Sequence, residues 1–95
     1  MPRILIVEDE PAIADTLLYA LEVDGFDVCW RSRGADALVE LRQGGIDLVI
    51  LDVGLPDVSG FEVCRQLRKF SELPVMFLTA RGDEVDRVVG LEIGA

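Results

Sequence analysis

The chain has 95 residues, a formal net charge of −9 and 51% hydrophobic residues, which is the composition of one small globular domain rather than of a disordered segment. The negative charge argues against direct nucleic-acid binding by this segment, because phosphate backbones would be repelled. No apolar run reaches the length of a membrane span and the N-terminus lacks a signal-peptide pattern, so we expect a cytoplasmic protein with no membrane partner.

The first two predicted elements flank an acidic turn. Residues 3–7, RILIV, form a continuous aliphatic run that is typical of a strand covered on both faces. The turn EDEP follows, and Pro11 suits the first turn of a helix, where acidic residues also complement the helix dipole. Apolar residues at helical spacing over residues 13–21 continue this helix, and Gly25 ends it.

The middle of the chain continues the alternation of strands and helices. Residues 26–30 alternate in polarity and predict an edge strand, residues 35–43 predict a second helix that ends at two glycines, and residues 47–52 predict a third strand. Cys29 and Cys64 lie in apolar contexts without metal-ligand spacing, in a sequence that has no His. We predict that both are reduced thiols in or near the core.

The last third of the chain holds three further predicted elements. Residues 61–70 predict a third helix, residues 74–80 a fourth strand, and residues 83–93 a fourth helix that Gly90 weakens. Strands that alternate with helices predict an α/β fold with a doubly wound, mostly parallel sheet. If the first strand is the point of reversal, the strand order is 2-1-3-4. Part of a Rossmann sheet or a barrel fragment would give the same pattern, so the elements alone leave the function open.

Polar residues stand at the ends of three predicted strands. Glu8 and Asp9 follow the first strand, Asp52 ends the third, and Thr79 lies near the end of the fourth. The carboxyl ends of parallel strands share one edge of the sheet, where ligands bind in doubly wound folds. Because adjacent strands are about 4.8 Å apart, these side chains can converge on one crevice.

Three carboxylates in one crevice repel each other, and a hard cation with oxygen ligands such as Mg²⁺ relieves that repulsion. Asp9 and Asp52 would bind the cation directly, the carbonyl of Gly54 could add a ligand, and Glu8 could act through water. Each feature also has a structural alternative, since EDE can cap a helix and a strand-end Asp can form a turn. Their joint placement at three strand ends favours the metal site.

A carboxylate beside Mg²⁺ can attack a phosphoryl group and form an aspartyl phosphate. Asp52 is the candidate nucleophile because it stands alone on a central strand. Thr79 could then hydrogen-bond a phosphate oxygen, and the small Ala80 would leave room for the phosphate to enter.

The segments ILIVEDEP, DLVILDVGLPDVSGFEVCRQLR and LPVMFLTAR resemble, in order and spacing, the motifs of response regulator receiver domains of two-component systems. The resemblance covers essentially the whole chain. GLPDVSGFEVCRQLR and LTARGDEVDRVVGLEIGA most resemble the OmpR/PhoB subfamily, particularly its CreB branch. The resemblance implies a flavodoxin-like receiver fold in which Asp52 takes a phosphoryl group from the phosphohistidine of a sensor histidine kinase.

The same resemblance assigns roles to individual residues. It implies metal roles for Glu8, Asp9, Asp52 and Gly54, together with a switching role for Thr79. Gly54 lies two residues after Asp52, and Arg81 lies two residues after Thr79. The resemblance implies that these two positions tune the lifetime of the phosphate. In this subfamily phosphorylation promotes dimerisation through the side of the fourth helix, and a DNA-binding domain follows the receiver.

A complete receiver of this family continues into a fifth strand and helix that supply a phosphate-contacting Lys and an aromatic switch residue. Lys69 is the only lysine here, and at the end of the third predicted helix it cannot replace that group. We therefore expect residues 1–95 to be a truncated receiver without its DNA-binding domain. The strand over residues 74–80 would then have an open edge, and we expect the chain to form a homodimer or a swapped oligomer.

Three other functions are alternatives to a receiver. A Mg²⁺-dependent phosphatase of the haloacid-dehalogenase type needs a second Asp two residues after its nucleophile, where this chain has Gly54. A nucleotide-binding protein needs a glycine-rich turn after the first strand, where this chain has EDEP. A module that dimerises without phosphorylation is disfavoured by the site residues, although the missing Lys keeps it open.

Overall fold

The computed structural model describes residues 2–80 and 87–92, of which 79–80 and 87–92 are described by their backbone alone. The described strands and helices run along the chain in the order β1 (Arg3–Val7), α1 (Pro11–Val23), β2 (Asp27–Arg31), α2 (Gly34–Gln43), β3 (Leu48–Asp52), α3 (Gly60–Leu67), β4 (Val75–Ala80) and β5 (Arg87–Glu92). Within these residues, no helix combines the length and the apolar character needed to span a bilayer.

The described strands form one sheet in the order β2-β1-β3-β4-β5. The first four strands are parallel to one another, so the predicted order 2-1-3-4 and the predicted edge position of β2 are confirmed. The register pairs Val7 with Leu51 and Asp52 with Leu78, which brings the carboxyl ends of β1, β3 and β4 to one edge of the sheet.

The predicted fourth helix over residues 83–93 is wrong where the structure describes it. Residues Arg87–Glu92 form β5, which runs antiparallel to β4 in a register from Val75 opposite Glu92 to Ala80 opposite Arg87. The remainder of the prediction, residues 83–86 and 93, lies outside the described residues. Because β5 pairs with β4, the prediction that β4 has an open edge is also wrong.

Helices cover both faces of the sheet, as the doubly wound prediction requires. The larger core cluster lies between the sheet and helices α2 and α3, and its buried members include Leu5, Val7, Ala37, Leu41, Val49, Leu51, Val63, Leu67, Val75 and Phe77. On the opposite face, Leu17 and Leu21 of α1 pack against the buried side chains of Ile4, Ile50 and Leu78. The two clusters therefore pack against opposite faces of the sheet.

Helix α3 is shorter than predicted. It begins at a cap in which the Ser59 hydroxyl accepts a hydrogen bond from the N–H of Phe61 at 3.1 Å, and it ends at Leu67 rather than at residue 70. Phe61 and Phe70, the two aromatic residues of the predicted helix, are 59% and 41% exposed. Cys64 is buried on this helix and Cys29 is half-buried on β2, so both cysteines lie in or near the core as predicted.

Candidate functional site

Three acidic side chains meet at the carboxyl edge of the sheet. Glu8 and Asp9 follow β1, and Asp52 ends β3, which is the parallel neighbour of β1. Carboxylate oxygens of these three residues all lie within 4.8 Å of one another. The convergence predicted from the strand ends is therefore present, because the parallel register of β1 and β3 brings the two segments level.

Glu8 is the most constrained of the three residues. Its side chain is only 3% exposed, and its carboxylate accepts a hydrogen bond from the N–H of Glu10 at 3.1 Å. Its backbone N–H donates to the carbonyl of Arg31 at 3.1 Å, which extends the ladder between β1 and β2 by one residue. Its backbone carbonyl accepts a hydrogen bond from the indole of Trp30 at 2.6 Å.

The site is electrostatically unfavourable for its own charges. Burial is the main cause that raises the pKa of Glu8 from 4.5 to about 7; the N–H of Glu10 opposes this, and the charges of Asp52 and Asp9 add to it. Burial also raises the pKa of Asp52, with a further contribution from Asp9, against the N–H of Gly54. The charge of Asp9 thus makes both Glu8 and Asp52 harder to ionise.

These carboxylates have the properties of a hard-cation site. Among the residues that the structure describes, no Lys or Arg forms an ion pair with Glu8, Asp9 or Asp52. A divalent cation with oxygen ligands would offset the repulsion among the three carboxylates, which adds to the effect of burial on the pKa values of Glu8 and Asp52. The capping alternative is not supported for Glu10, which precedes α1 and makes no side-chain cap hydrogen bond.

The structure partly supports the alternative that Asp52 is a turn-forming residue. One of its carboxylate oxygens accepts a hydrogen bond from the N–H of Gly54 at 3.3 Å, as a turn-forming Asp would. This bond does not remove the other two carboxylates from the site, so turn formation and cation binding are compatible at this residue.

The loop between β3 and α3 is held on both sides. At Gly60 an added Cβ would overlap the backbone carbonyl of Asp52, so α3 starts directly against the phosphoacceptor candidate. Asp57 accepts hydrogen bonds from the N–H groups of Gly34 at 2.9 Å and Ala35 at 3.0 Å, and so caps α2 from outside. These N–H groups, that of Ala35 first, lower the pKa of Asp57. The sequence does not predict this cap, because in the motif LPDVSG an Asp is an ordinary turn residue.

The other predicted site residues are placed by their backbone or lie outside the described residues. Thr79 follows Leu78, the partner of Asp52 in the β3–β4 ladder, so its backbone lies at the same edge of the sheet. Ala80 ends β4 next to it. Arg81 lies outside the described residues. Lys69 is exposed in the turn after α3.

The comparisons with known proteins agree with this geometry. The family model of the response regulator receiver domain matches residues 4–95. The chain is 58% identical to the transcriptional regulatory protein CreB of Escherichia coli (strain K12) over 91 residues, which are 95% of this chain and 40% of CreB.

Two solved structures extend the likeness to the fold. The response regulator TrrA from Thermotoga maritima, in complex with Mg²⁺ and BeF, matches with a TM-score of 0.81 and 38% identity over 86% of this chain and 72% of that one. A structure of the histidine kinase ThkA in complex with TrrA matches with a TM-score of 0.80 and 37% identity over 90% of this chain and 75% of that one.

These similarities confirm the resemblance to OmpR/PhoB regulators, including the CreB branch. The chain spans about two fifths of the length of CreB, 40%, which corresponds to the receiver domain alone.

Proposed function

The chain belongs to the response regulator receiver domain family, and from this premise we propose that it accepts a phosphoryl group on Asp52 from a sensor histidine kinase, with Mg²⁺ as the cofactor. The observation that carries the proposal is the meeting of three carboxylates within 4.8 Å at the carboxyl edge of a parallel sheet. The TrrA structures, one with Mg²⁺ and BeF and one with a histidine kinase, support both the cofactor and the partner.

The convergence of Glu8, Asp9 and Asp52 supports a role for each of them in binding Mg²⁺. Asp9 and Asp52 would bind Mg²⁺ through their carboxylates, the carbonyl of Gly54 would add a ligand, and the buried Glu8 would act through water. When bound, Mg²⁺ screens the negative charge of the carboxylates as a phosphoryl group approaches. The exposed Asp9 and the half-buried Asp52 leave an open side to the site, whereas Glu8 closes its floor.

Asp52 is the nucleophile that the geometry supports best. Its oxygen attacks the phosphorus of the phosphohistidine, the P–N bond breaks, and the imidazole leaves with the electron pair. The peptide of Asp52 is fixed by the β3 ladder and by the close approach of Gly60, so the attacking group starts from a defined position. Glu8 is too deeply buried to meet an incoming donor.

The residues at the end of β4 would respond to the phosphate. We assign to Thr79 a hydrogen bond to a phosphate oxygen, which couples β4 to the state of Asp52. Ala80 would leave the entrance open, and Arg81 would influence how long the phosphate survives. The backbone of β4 supports this assignment, since Thr79 is one residue beyond the partner of Asp52.

The effect of phosphorylation on transcription would require a longer protein of this type. We propose that phosphorylation promotes homodimerisation and thereby regulates transcription through a C-terminal DNA-binding domain, as the likeness to the transcriptional regulator CreB suggests. In this role the chain is a cytoplasmic signalling domain that modifies itself once, rather than an enzyme that turns over a free substrate. Gly54 stands where the haloacid-dehalogenase phosphatases need an acid, which argues against that enzyme.

Acetyl phosphate and Mg²⁺ provide the direct test. We expect intact-mass spectrometry to show one added phosphoryl group on the unaltered protein and none when a chelator replaces Mg²⁺. Asp52→Asn should take no label, and Asp15→Asn, an exposed carboxylate on α1, should be labelled like the unaltered protein. Equal labelling of Asp52→Asn would remove this residue from its role, and steady hydrolysis of a generic phosphate ester would favour the phosphatase.

A further inference from the structure

The side chain of Trp30 reaches from the edge strand to the acidic turn. Its indole N–H donates a hydrogen bond of 2.6 Å to the backbone carbonyl of Glu8, 22 residues away in sequence. It is the only tryptophan in the chain. The bond connects β2, which carries no site residue, with the turn that supplies two of the three carboxylates.

The donor itself is held in place. The guanidinium of Arg31 donates to the carbonyl of Trp30 at 2.7 Å and to the carboxylate of Glu40 on α2 at 2.6 Å. The Arg31 carbonyl in turn accepts the N–H of Glu8 at 3.1 Å. The peptide groups on both sides of the Glu8 Cα therefore form hydrogen bonds with two consecutive residues of β2, and the side chain of Arg31 holds these residues in place.

We propose that Trp30 is a positioning residue of the cation site, which holds the acidic turn in the arrangement that binds a divalent cation. The inference rests on the proposed function, because it takes Mg²⁺ as the ion that the three carboxylates bind. Those carboxylates repel each other before the ion arrives, so a turn without restraint would move Glu8 and Asp9 away from Asp52. A hydrogen bond from Trp30 to the turn backbone opposes this movement and itself uses no carboxylate oxygen of the site.

The cost of losing this bond is a weaker affinity for the ion. When only a fraction of the molecules has the turn in its binding arrangement, the apparent dissociation constant rises in inverse proportion to that fraction. A single net hydrogen bond changes such an equilibrium about three- to tenfold. We therefore expect Trp30→Phe, which keeps an aromatic ring and removes the N–H donor, to weaken Mg²⁺ binding about three- to tenfold.

The experiment measures Mg²⁺ binding by calorimetry for the unaltered protein, Trp30→Phe and Tyr19→Phe. Tyr19 is 74% exposed on α1, so its variant removes one polar group from an aromatic ring away from the site and should bind like the unaltered protein. Urea unfolding in a chelator determines the folded fraction of each variant. A Trp30→Phe protein that is destabilised but binds Mg²⁺ with unchanged affinity would overturn the inference, since a purely structural residue behaves in that way.

Fluorescence provides a second measurement that needs no variant at position 30. The emission of the sole indole should change during a Mg²⁺ titration of the unaltered protein, with the midpoint found by calorimetry. Unchanged emission during proven binding would count against the inference, and it decides the matter even if Trp30→Phe does not fold. No Mg²⁺ binding by the unaltered protein would refute the proposed function instead, whereas equal binding by both proteins refutes only the role of Trp30.

Discussion

Replacing Glu8 by Gln should stabilise the protein at pH 8 in the absence of a divalent cation. The folded state raises the pKa of Glu8 from 4.5 to about 7, so between these values it binds a proton that the unfolded chain has released. Stability contributed by this group is therefore lost as the pH rises from about 4.5 to about 7. Glutamine is neutral at every pH, has nearly the same shape, and retains an oxygen that can accept the N–H of Glu10.

The size of the effect follows from the gap between the two pKa values. Each unit corresponds to about 1.4 kcal/mol, which sets an upper limit of about 3 kcal/mol for Glu8. Water at the open side of the site, next to the exposed Asp9, reduces this to about 1–2 kcal/mol in the free energy of unfolding. In a domain of this size, each kcal/mol of added stability raises Tm by about 4–8 °C.

Urea unfolding at pH 5 and pH 8, with a chelator present, measures the prediction. The advantage of Glu8→Gln over the unaltered protein should be small at pH 5 and should grow towards pH 8. Glu22→Gln makes the same chemical change at an exposed position of α1, and its difference from the unaltered protein should stay constant. A Glu8→Gln advantage that does not change with pH would refute the reasoning, as would a loss of stability at pH 8.

Saturating Mg²⁺ should then stabilise the unaltered protein more than the variant, since a ligand at 100 times its Kd adds about 2.7 kcal/mol.

Two further substitutions test the loop that follows Asp52. Asp57→Ala should cost about 0.5–2 kcal/mol through the lost cap on α2 and should speed amide hydrogen exchange at Gly34 and Ala35, whereas Ser59→Ala, which uncaps α3, should leave exchange at these two amides unchanged. Gly60→Ala should cost about 1–3 kcal/mol in urea unfolding, because its Cβ would overlap the carbonyl of Asp52 and lie 2.9 Å from the Cα of Val53. Gly54→Ala is the matched control, since an added Cβ there meets nothing within 4 Å, and equal stability of the two variants would contradict the close approach at Gly60.

The sequence predicts β1 to β4 and α1 to α3 because their signals are local. The aliphatic run of β1 and the helical spacing of α1 each lie within one short segment. Pro11 and Gly25 mark the start and the end of α1 without reference to the rest of the chain. The site follows from one additional rule, that parallel strands end at a common edge. That rule brings Glu8, Asp9 and Asp52 together without any knowledge of the side-chain packing.

The contacts that hold the site in place have no comparable signal. Trp30 meets the carbonyl of Glu8 across 22 residues, and Asp57 caps an amide of α2 across 23 residues. A tryptophan on an edge strand and an aspartate in a turn are each common for other reasons, so neither residue predicts its partner. Such contacts depend on how the elements pack, and only the three-dimensional arrangement reveals them.

The failed prediction of a fourth helix has a similar cause. Helical spacing over residues 83–93 favours a helix, but the described part, Arg87–Glu92, contains two adjacent valines and a glycine, which are weak helix formers. The valines favour a strand, and the edge of β4 offers a row of backbone N–H and C=O groups to pair with. Pairing from Val75 to Ala80 satisfies those groups on both strands at once. A segment of such mixed propensity becomes a strand when an adjacent strand edge is there to pair with it. The sequence pattern of the segment contains no information about that adjacent strand.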